Sequence, residues 1–133
     1  MIPFEFIIAG PPISQQSRNR ARLQAWKRDV YQAAATRWQS VPPTDEMVKL
    51  NITYYYETMA PDVDNIIKPI QDALIGLVYA DDRQVTDVVS RKRDLNGSFR
   101  VRGMSSVLAE GFCTGKEFIH IKVDVTPDPK DLG

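Results

Sequence analysis

The alternation of hydrophobic and polar residues along the chain predicts four β-strands. An apolar run over Phe4–Ala9 stops at a Gly-Pro-Pro sequence, which is typical of a buried strand closed by a loop. The segment Val48–Tyr56 alternates and is rich in β-branched and aromatic residues. Two further strands are predicted over Gln84–Arg93 and over Phe118–Val125, the latter with its apolar face on the odd-numbered positions.

Two helices are predicted from apolar residues that recur at helical spacing. The first runs from about Arg20 to Gln39, and its apolar stripe consists of Leu23, Trp26, Val30, Ala34 and Trp38. The second runs from Asn65 to Leu77. Its apolar residues fall within an arc of about 120° around the helix axis. They are Ile66, Ile67, Ile70, Ala73, Leu74 and Leu77. Asp64, Lys68 and Asp72 fall outside that arc and form a polar ridge facing solvent or a cleft.

The order β-α-β-α-β-β predicts an α+β fold, a single domain over residues 1–126 with one mixed sheet and two helices packed on it. Residues 94–116 form an insertion between the last two strands that is longer than most connections. Within it, Phe99–Arg102 is predicted as a short strand and Ser105–Glu110 as a turn of helix. The tail, residues 127–133, is predicted to be flexible.

Charge is segregated along a chain of 133 residues that has no net charge. Residues 1–40 carry six basic and two acidic side chains, residues 41–87 three basic and nine acidic, and residues 88–110 five basic and two acidic. An acidic centre flanked by basic blocks fits a metal-binding floor with walls that grip phosphate. Ordinary scatter of surface charge is the alternative interpretation.

Several classes of protein are excluded by composition. The single cysteine, Cys113, leaves no internal disulfide framework and no multi-cysteine zinc site, which fits a reducing, cytoplasmic setting. No apolar run approaches the length of a membrane helix, roughly 18–20 residues. The first five residues lack the basic region of a signal peptide. The single histidine, His120, is interpreted as a surface-facing strand residue rather than a catalytic base.

The candidate chemistry is concentrated in one short part of the chain, in Asp62, Asp64, Asn65, Lys68, Asp72, Asp81 and Asp82. Carboxylate oxygens are the ligands that Mg²⁺ prefers, and two metals held by such a cluster promote in-line attack of water on a phosphodiester. These residues also have purely structural explanations. Asp64 is an N-cap with Asp62 at the positive end of the helix dipole, Lys68 and Asp72 are an i,i+4 pair, and Asp81-Asp82 is a solvated turn.

Chain geometry decides whether these carboxylates can meet. A helix from Asn65 to Leu77 rises about 20 Å, whereas residues 78–82 reach back at most about 17 Å. For Asp82 to share a metal with Asp64, the helix must therefore end near Gly76 in a left-handed cap, and the chain must return along the helix. Completion of the site by a second subunit is the alternative.

Three spaced segments resemble the RusA family of Holliday-junction resolvases. They are Asp62-Val63-Asp64-Asn65-Ile66-Ile67-Lys68, Asp72-Ala73-Leu74, and Val78-Tyr79-Ala80-Asp81-Asp82-Arg83-Gln84-Val85. The first strand with its Gly-Pro-Pro closure is similar too, so the resemblance covers nearly the whole chain apart from the insertion. It implies a homodimeric, Mg²⁺-dependent endonuclease, with Mn²⁺ as the other candidate ion, that cuts branched DNA during recombination or repair.

The resemblance also implies roles for individual residues. Asp62, Asp64 and Asp82 match the metal-binding catalytic carboxylates of the family, and Lys68 matches its catalytic lysine. Asn65, Asp72 and Asp81 are expected to support them. Where family members often carry arginines before the first aspartate, this chain has an apolar stretch. DNA binding is therefore expected from Arg18, Arg20 and Arg22, from Arg91, Lys92 and Arg93, or from Arg100 and Arg102 in the insertion.

Two other functions remain open at the level of the sequence. A catalytically weak RusA-like dimer could act as a nucleic-acid or protein binding module, although the complete set of Asp62, Asp64, Lys68 and Asp82 argues for activity. A metal-dependent phosphohydrolase acting on small phosphates is the other. The insertion could grip DNA, extend a dimer interface or block access of a junction.

Overall fold

The computed structural model describes residues 1–58, 62–97, 102–128 and 130. Its strands are β1 (Phe4–Ala9), β2 (Val48–Tyr56), β3 (Val85–Asp94) and β4 (Phe118–Val125), and its helices are α1 (Arg20–Trp38), α2 (Ile67–Ala73) and α3 (Ser106–Cys113). Short 3₁₀ turns lie at Val63–Ile66 and Asp82–Gln84. All four strands and the first helix coincide with the predicted segments to within a residue.

The strands form one mixed sheet in the order β1-β4-β2-β3. β2 pairs with β3 in parallel, whereas β4 is antiparallel to both β1 and β2. The predicted single-domain α+β fold with a mixed sheet is therefore confirmed. β3 lies at one edge of the sheet, and the segment that carries Asp62 and Asp64 packs above it.

The main hydrophobic core lies between the sheet and the pair α1 and α2. The stripe of α1 is buried as predicted, with Leu23, Trp26, Val30, Ala34 and Trp38 all at most 5% exposed. From the second helix segment, Ile66, Ile70 and Leu74 are also buried, while Ile67 and Leu77 pack at the margin of this core. Helical periodicity thus identified the correct faces, because burial on one side is what selects that spacing.

A second, smaller cluster lies on the opposite face of the sheet and was not predicted. Tyr55 and Phe118 project there, since neighbouring residues of a strand alternate between faces. Leu108 from α3 covers them, and Ser105 caps that helix by accepting a hydrogen bond from the N–H of Leu108 at 3.1 Å. The prediction of two helices is therefore incomplete: the helical turn expected from Ser105 extends to Cys113. The short strand predicted at 99–102 falls mostly outside the described residues, as does most of the tail.

The second helix is shorter than predicted. A 3₁₀ turn occupies Val63–Ile66, and the α-helical part begins at Ile67 and ends at Ala73. Pro69 lies in its first turn, where the missing N–H costs no helical hydrogen bond. None of the helices in the described part of the chain is long and apolar enough to cross a membrane.

Candidate active site

The turn that carries Asp62 and Asp64 is held by its backbone, which leaves both side chains exposed. The carbonyl oxygen of Val63 accepts a hydrogen bond from the Ser90 hydroxyl at 2.6 Å, which ties the turn to β3. The carbonyl oxygen of Asn65 accepts one from the N–H of Gln15 at 2.9 Å, which ties it to the loop before α1. Asp64 lies inside the 3₁₀ turn, and Asp62 precedes it without a side-chain cap. The helix-cap interpretation of Asp64 is therefore wrong.

After α2 the chain reverses and returns along the helix, as a shared site required. Gly76 has a φ of +86°, a left-handed conformation that glycine adopts without steric cost. Its N–H donates to the carbonyl oxygen of Tyr79 at 2.6 Å. The buried Tyr79 in turn donates its hydroxyl to the carbonyl oxygen of Gln71 at 2.6 Å. The prediction placed the helix end near Gly76, but the helix ends at Ala73 and Gly76 belongs to the reversal that follows.

The turn that carries Asp82 is fixed by the side chain of Gln84. The amide oxygen of Gln84 accepts hydrogen bonds from the N–H groups of Ala80 at 2.8 Å and Asp81 at 3.0 Å. Its amide nitrogen donates to the carbonyl oxygens of Thr44 at 2.8 Å and Glu46 at 2.9 Å. Because Gln84 is only 9% exposed, these bonds are shielded from competing water.

Asp81 serves the same turn rather than facing Lys68. Its carboxylate accepts the N–H of Arg83 at 3.0 Å and pairs with the Arg83 guanidinium, also at 3.0 Å. The backbone hydrogen bond from Arg83, followed by the bond from its side chain, lowers the pKa of Asp81 to about 2. Asp81 therefore stays ionised and caps the turn that carries Asp82.

Lys68 joins two aspartates that come from separate turns of the chain. Its ammonium nitrogen lies 2.9 Å from Oδ1 of Asp72 and 3.5 Å from Oδ2 of Asp82. The predicted i,i+4 pair is thus present, and the return of the chain brings Asp82 to the same lysine. The hydrogen bond to Asp72 raises the pKa of Lys68 above its ordinary value of 10.5, so the ammonium stays charged at neutral pH. A second lysine, Lys27 of α1, lies 3.6 Å from Oδ2 of Asp72.

The chemistry of the donors fits a hard divalent cation, although the side chains do not already surround one. Asp62 and Asp64 are exposed carboxylates, and neither has a hydrogen-bond or ion-pair partner among the described residues. Such free oxygens are what Mg²⁺ binds. Within residues 1–58, 62–97, 102–128 and 130, no group of three or more histidine, cysteine, aspartate or glutamate side chains is placed to hold a metal ion.

The basic residues expected to bind DNA fall into two groups. Arg18, Arg20 and Arg22 are exposed where the loop before α1 enters the helix, and Gln15 of that loop contacts the Asp62–Asp64 turn. The run Arg91-Lys92-Arg93 is divided by the alternation of β3. Lys92 pairs with Tyr54 of β2, which faces α1 and α2, whereas Arg91 donates to the Thr53 hydroxyl at 3.2 Å on the opposite face. Arg93 shares that opposite face.

Sequence reasoning assigned no role to Lys27, Gln84 or Ser90, although all three contact the site. Ser90 and Gln84 act on backbone groups distant in sequence, so periodicity carries no signal for them. Lys27 lies on α1, and its contact with Asp72 depends on how α1 packs against α2.

The fold and this ridge define an α+β domain in which one lysine, Lys68, pairs with a carboxylate from α2 and with one from the turn after the reversal. Residues 13–102 match the family model described as endodeoxyribonuclease RusA, and this span is more than half of the chain. The chain belongs to the RusA family. Membership implies endonuclease activity of the Holliday-junction-resolvase kind on branched DNA, and the family generally uses divalent metal ions. A comparison with curated proteins found no match.

Proposed function

We propose that this protein is a Mg²⁺-dependent endonuclease that cuts phosphodiester bonds in branched DNA, such as Holliday junctions, during recombination or repair. The observation that carries the proposal is the meeting of Lys68 with Asp82 at 3.5 Å, on the ridge where Asp64 is exposed. A helix-surface ion pair needs only residues of one helix. The turn after the Gly76 reversal, held by Gln84 and Tyr79, brings a second carboxylate, that of Asp82, to Lys68. A simple ion pair on a helix surface does not require this second carboxylate.

In this proposal Asp62, Asp64 and Asp82 hold the divalent ion, with Mn²⁺ as a substitute for Mg²⁺. Such an ion, when bound, lowers the pKa of water and offsets charge on the phosphate. The described carboxylates do not form a closed three-ligand group, so these side chains would have to turn toward the ion to hold it. Asn65 follows Asp64 in the chain and supports the same turn, because its N–H donates to the carbonyl oxygen of Asp62 at 3.0 Å.

Lys68 offsets negative charge that develops on the phosphate oxygens during cleavage. Its side chain is 48% exposed, so a phosphate can reach the ammonium without displacing the core. Two carboxylates fix its position before substrate arrives, and a positioned charge requires little reorganisation during the reaction. Asp72 supports this lysine from the next turn of the helix.

DNA is gripped on the α1 and α2 side by Arg18, Arg20, Arg22 and Lys92. The loop that carries Arg18 contacts the Asp62–Asp64 turn through the N–H of Gln15. Phosphate contacts of this kind give affinity that falls steeply with salt. A four-way junction requires two opposed cuts, so a two-fold dimer with one site in each subunit suits it. The proposed enzyme is therefore a homodimer.

Cleavage of a synthetic four-way junction tests this function. The purified protein is expected to cut the junction with Mg²⁺ or Mn²⁺ and not with EDTA. Asp64→Asn should abolish cleavage while DNA affinity is retained, whereas Asp29→Asn, an exposed aspartate on α1, should cleave normally. Junction binding without cleavage by the unmodified protein would instead identify a binding module. Competition by short nucleotides but not by branched DNA would identify a phosphohydrolase.

A further inference from the structure

We propose that Lys27 of α1 is a positioning residue for Lys68 and acts through the carboxylate of Asp72. The inference deepens the proposed function, on which its kinetic part rests. Lys27 lies outside the three segments that resemble the RusA family, and it reaches the polar ridge of Asp64, Lys68 and Asp72 only because α1 packs beside α2.

The two oxygens of Asp72 are divided between two lysines. Oδ1 lies 2.9 Å from the ammonium nitrogen of Lys68, and Oδ2 lies 3.6 Å from that of Lys27. Lys68 is in turn 3.5 Å from Asp82. The four side chains thus form a row of alternating charge that runs from α1, across α2, to the turn after the reversal.

This division determines where the Lys68 ammonium lies. Asp72 and Asp82 attract the same cation from two sides, and the nearer carboxylate attracts it more strongly. Lys27 offsets part of the Asp72 charge and holds its second oxygen away from Lys68. Without Lys27, both oxygens of Asp72 are free to bind Lys68, and the lysine moves toward Asp72 and away from Asp82.

Exposure distinguishes this role from a direct contact with DNA. The side chains of Lys27 and Asp72 are 23% and 26% exposed, whereas that of Lys68 is 48% exposed. The Lys27–Asp72 pair is therefore more shielded from water and salt than the Lys68 ammonium. The attraction between Lys27 and Asp72 is screened less for that reason. A phosphate approaching the ridge meets Lys68 before Lys27.

The first test is the NMR signal of the Lys68 side-chain nitrogen in protein labelled with ¹⁵N-lysine, recorded without DNA or metal. Lys27→Met is expected to shift this signal, and Asp72→Asn is expected to shift it further. Arg28→Met, at an exposed neighbouring position on α1, should leave it in place. Lys27→Arg keeps the charge, so the Lys68 signal should lie close to its position in the unmodified protein. An unchanged Lys68 signal in Lys27→Met would overturn the inference.

The second test is single-turnover cleavage of a four-way junction at saturating protein. Lys27→Met is expected to slow cleavage by roughly tenfold to a hundredfold, the scale set by small misplacement of a reacting group. Junction affinity should stay within about twofold, and Lys27→Arg should recover most of the rate. In an Asp72→Asn background, Lys27→Met should have no further effect, because its partner is already lost.

Two other kinetic outcomes would overturn the role of Lys27. One is weaker junction binding with a normal rate at saturation, which would make Lys27 a phosphate contact. The other is an equal loss of rate with and without Asp72. If the unmodified protein cleaves no branched DNA, the proposed function fails, while the NMR measurement still decides whether Lys27 positions Lys68.

Discussion

The Tyr79 hydroxyl donates a 2.6 Å hydrogen bond to the carbonyl oxygen of Gln71, so the chain that leaves α2 is bound back to the helix it has just left. Burial raises the pKa of Tyr79 above its ordinary value of 10.0, and the hydroxyl stays a donor throughout the usable pH range. Through this bond and the Gly76 reversal, the turn that bears Asp82 stays beside Lys68.

Tyr79→Phe is expected to lower the free energy of unfolding by about 1 kcal/mol, the net worth of one buried hydrogen bond. Cleavage should fall as well, because the Asp82 turn loses one of its ties to α2. Urea unfolding and junction cleavage measure the two effects. Tyr31→Phe provides the control, since that ring is 43% exposed. Equal stability of the two variants would contradict the assigned role of the hydroxyl.

Gln84→Glu is expected to cost about 1–3 kcal/mol, since it removes the donor to two carbonyl oxygens and introduces a charge into a buried position. The junction cleavage rate should fall while junction affinity changes little, because the affected group is Asp82 rather than a phosphate contact. The matched change Gln32→Glu on the exposed side of α1 should alter neither property. A stable variant with normal cleavage would show that the Asp82 turn is held by other contacts.

Lys92 and Arg93 are adjacent in sequence but lie on opposite faces of the sheet, and DNA binding should distinguish them. Lys92→Met is expected to weaken junction binding and to reduce the slope of log affinity against log salt by about one, as expected for one lost phosphate contact. Arg93→Met should leave the slope unchanged. Fluorescence anisotropy over a series of salt concentrations measures both, and the opposite result would place the DNA on the α3 side.

Gly111→Ala tests the packing of α3 on the sheet. A methyl group there would lie 2.6 Å from Cδ2 and Cζ of the Phe118 ring, which is itself buried. The expected cost is about 1–3 kcal/mol of unfolding free energy, as for other overpacked sites. Phe118→Leu should recover part of this loss in the double variant, which a double-mutant cycle measures. Cleavage at low temperature should persist, because α3 covers the face of the sheet opposite the polar ridge.

The stability of the protein should fall on acidification through His120 and Glu5. Burial lowers the pKa of His120 below 6.5. Burial alone would raise the pKa of Glu5, but hydrogen bonds from Ser105 and His120 outweigh it and leave the pKa below 4.5. The native protein therefore binds fewer protons than the unfolded chain. The His120 contribution is complete above pH 6.5 and is lost as pH falls through its lowered pKa, and that of Glu5 is lost below pH 4.5.

Urea unfolding from about pH 8 to about pH 5 measures this dependence. In His120→Gln the decline below pH 6.5 should be shallower than in the unmodified protein. Lys122 also faces this pair, opposite Glu5 in the sheet. An identical decline in both proteins would show that other groups take up the protons.

His120 also shows where sequence reasoning failed. It was interpreted as surface-facing, but its side chain is only 14% exposed and lies 3.2 Å from Glu5. Alternation correctly placed it opposite Ile119 and Ile121, yet whether that second face is covered depends on α3. Coverage of a face by a distant segment leaves no trace in local periodicity.

Only those parts of the site that depend on a single segment of the chain were predictable from the sequence. Helical phase correctly placed Lys68 and Asp72 on a solvent-facing ridge and paired them, because both lie on one short helix. Chain reach predicted a helix end and a reversal near Gly76, and the chain does reverse there, although the helix itself ends earlier, at Ala73. Lys27 and the bonds from Gln84 to Thr44 and Glu46 depend on how separate segments dock, and side-chain packing over such distances follows from no local pattern.

Because the Gln84 side chain binds the connection between α1 and β2, this connection should be sensitive to insertions. Asp45 and Glu46 are exposed, as in a loop that normally tolerates insertions. Yet the carbonyl oxygens of Thr44 and Glu46 receive the Gln84 amide, and the N–H of Thr44 donates to Val78 at 2.8 Å. A tag or fused domain inserted at this exposed loop would therefore displace the Asp82 turn, even though it would touch none of the acidic residues.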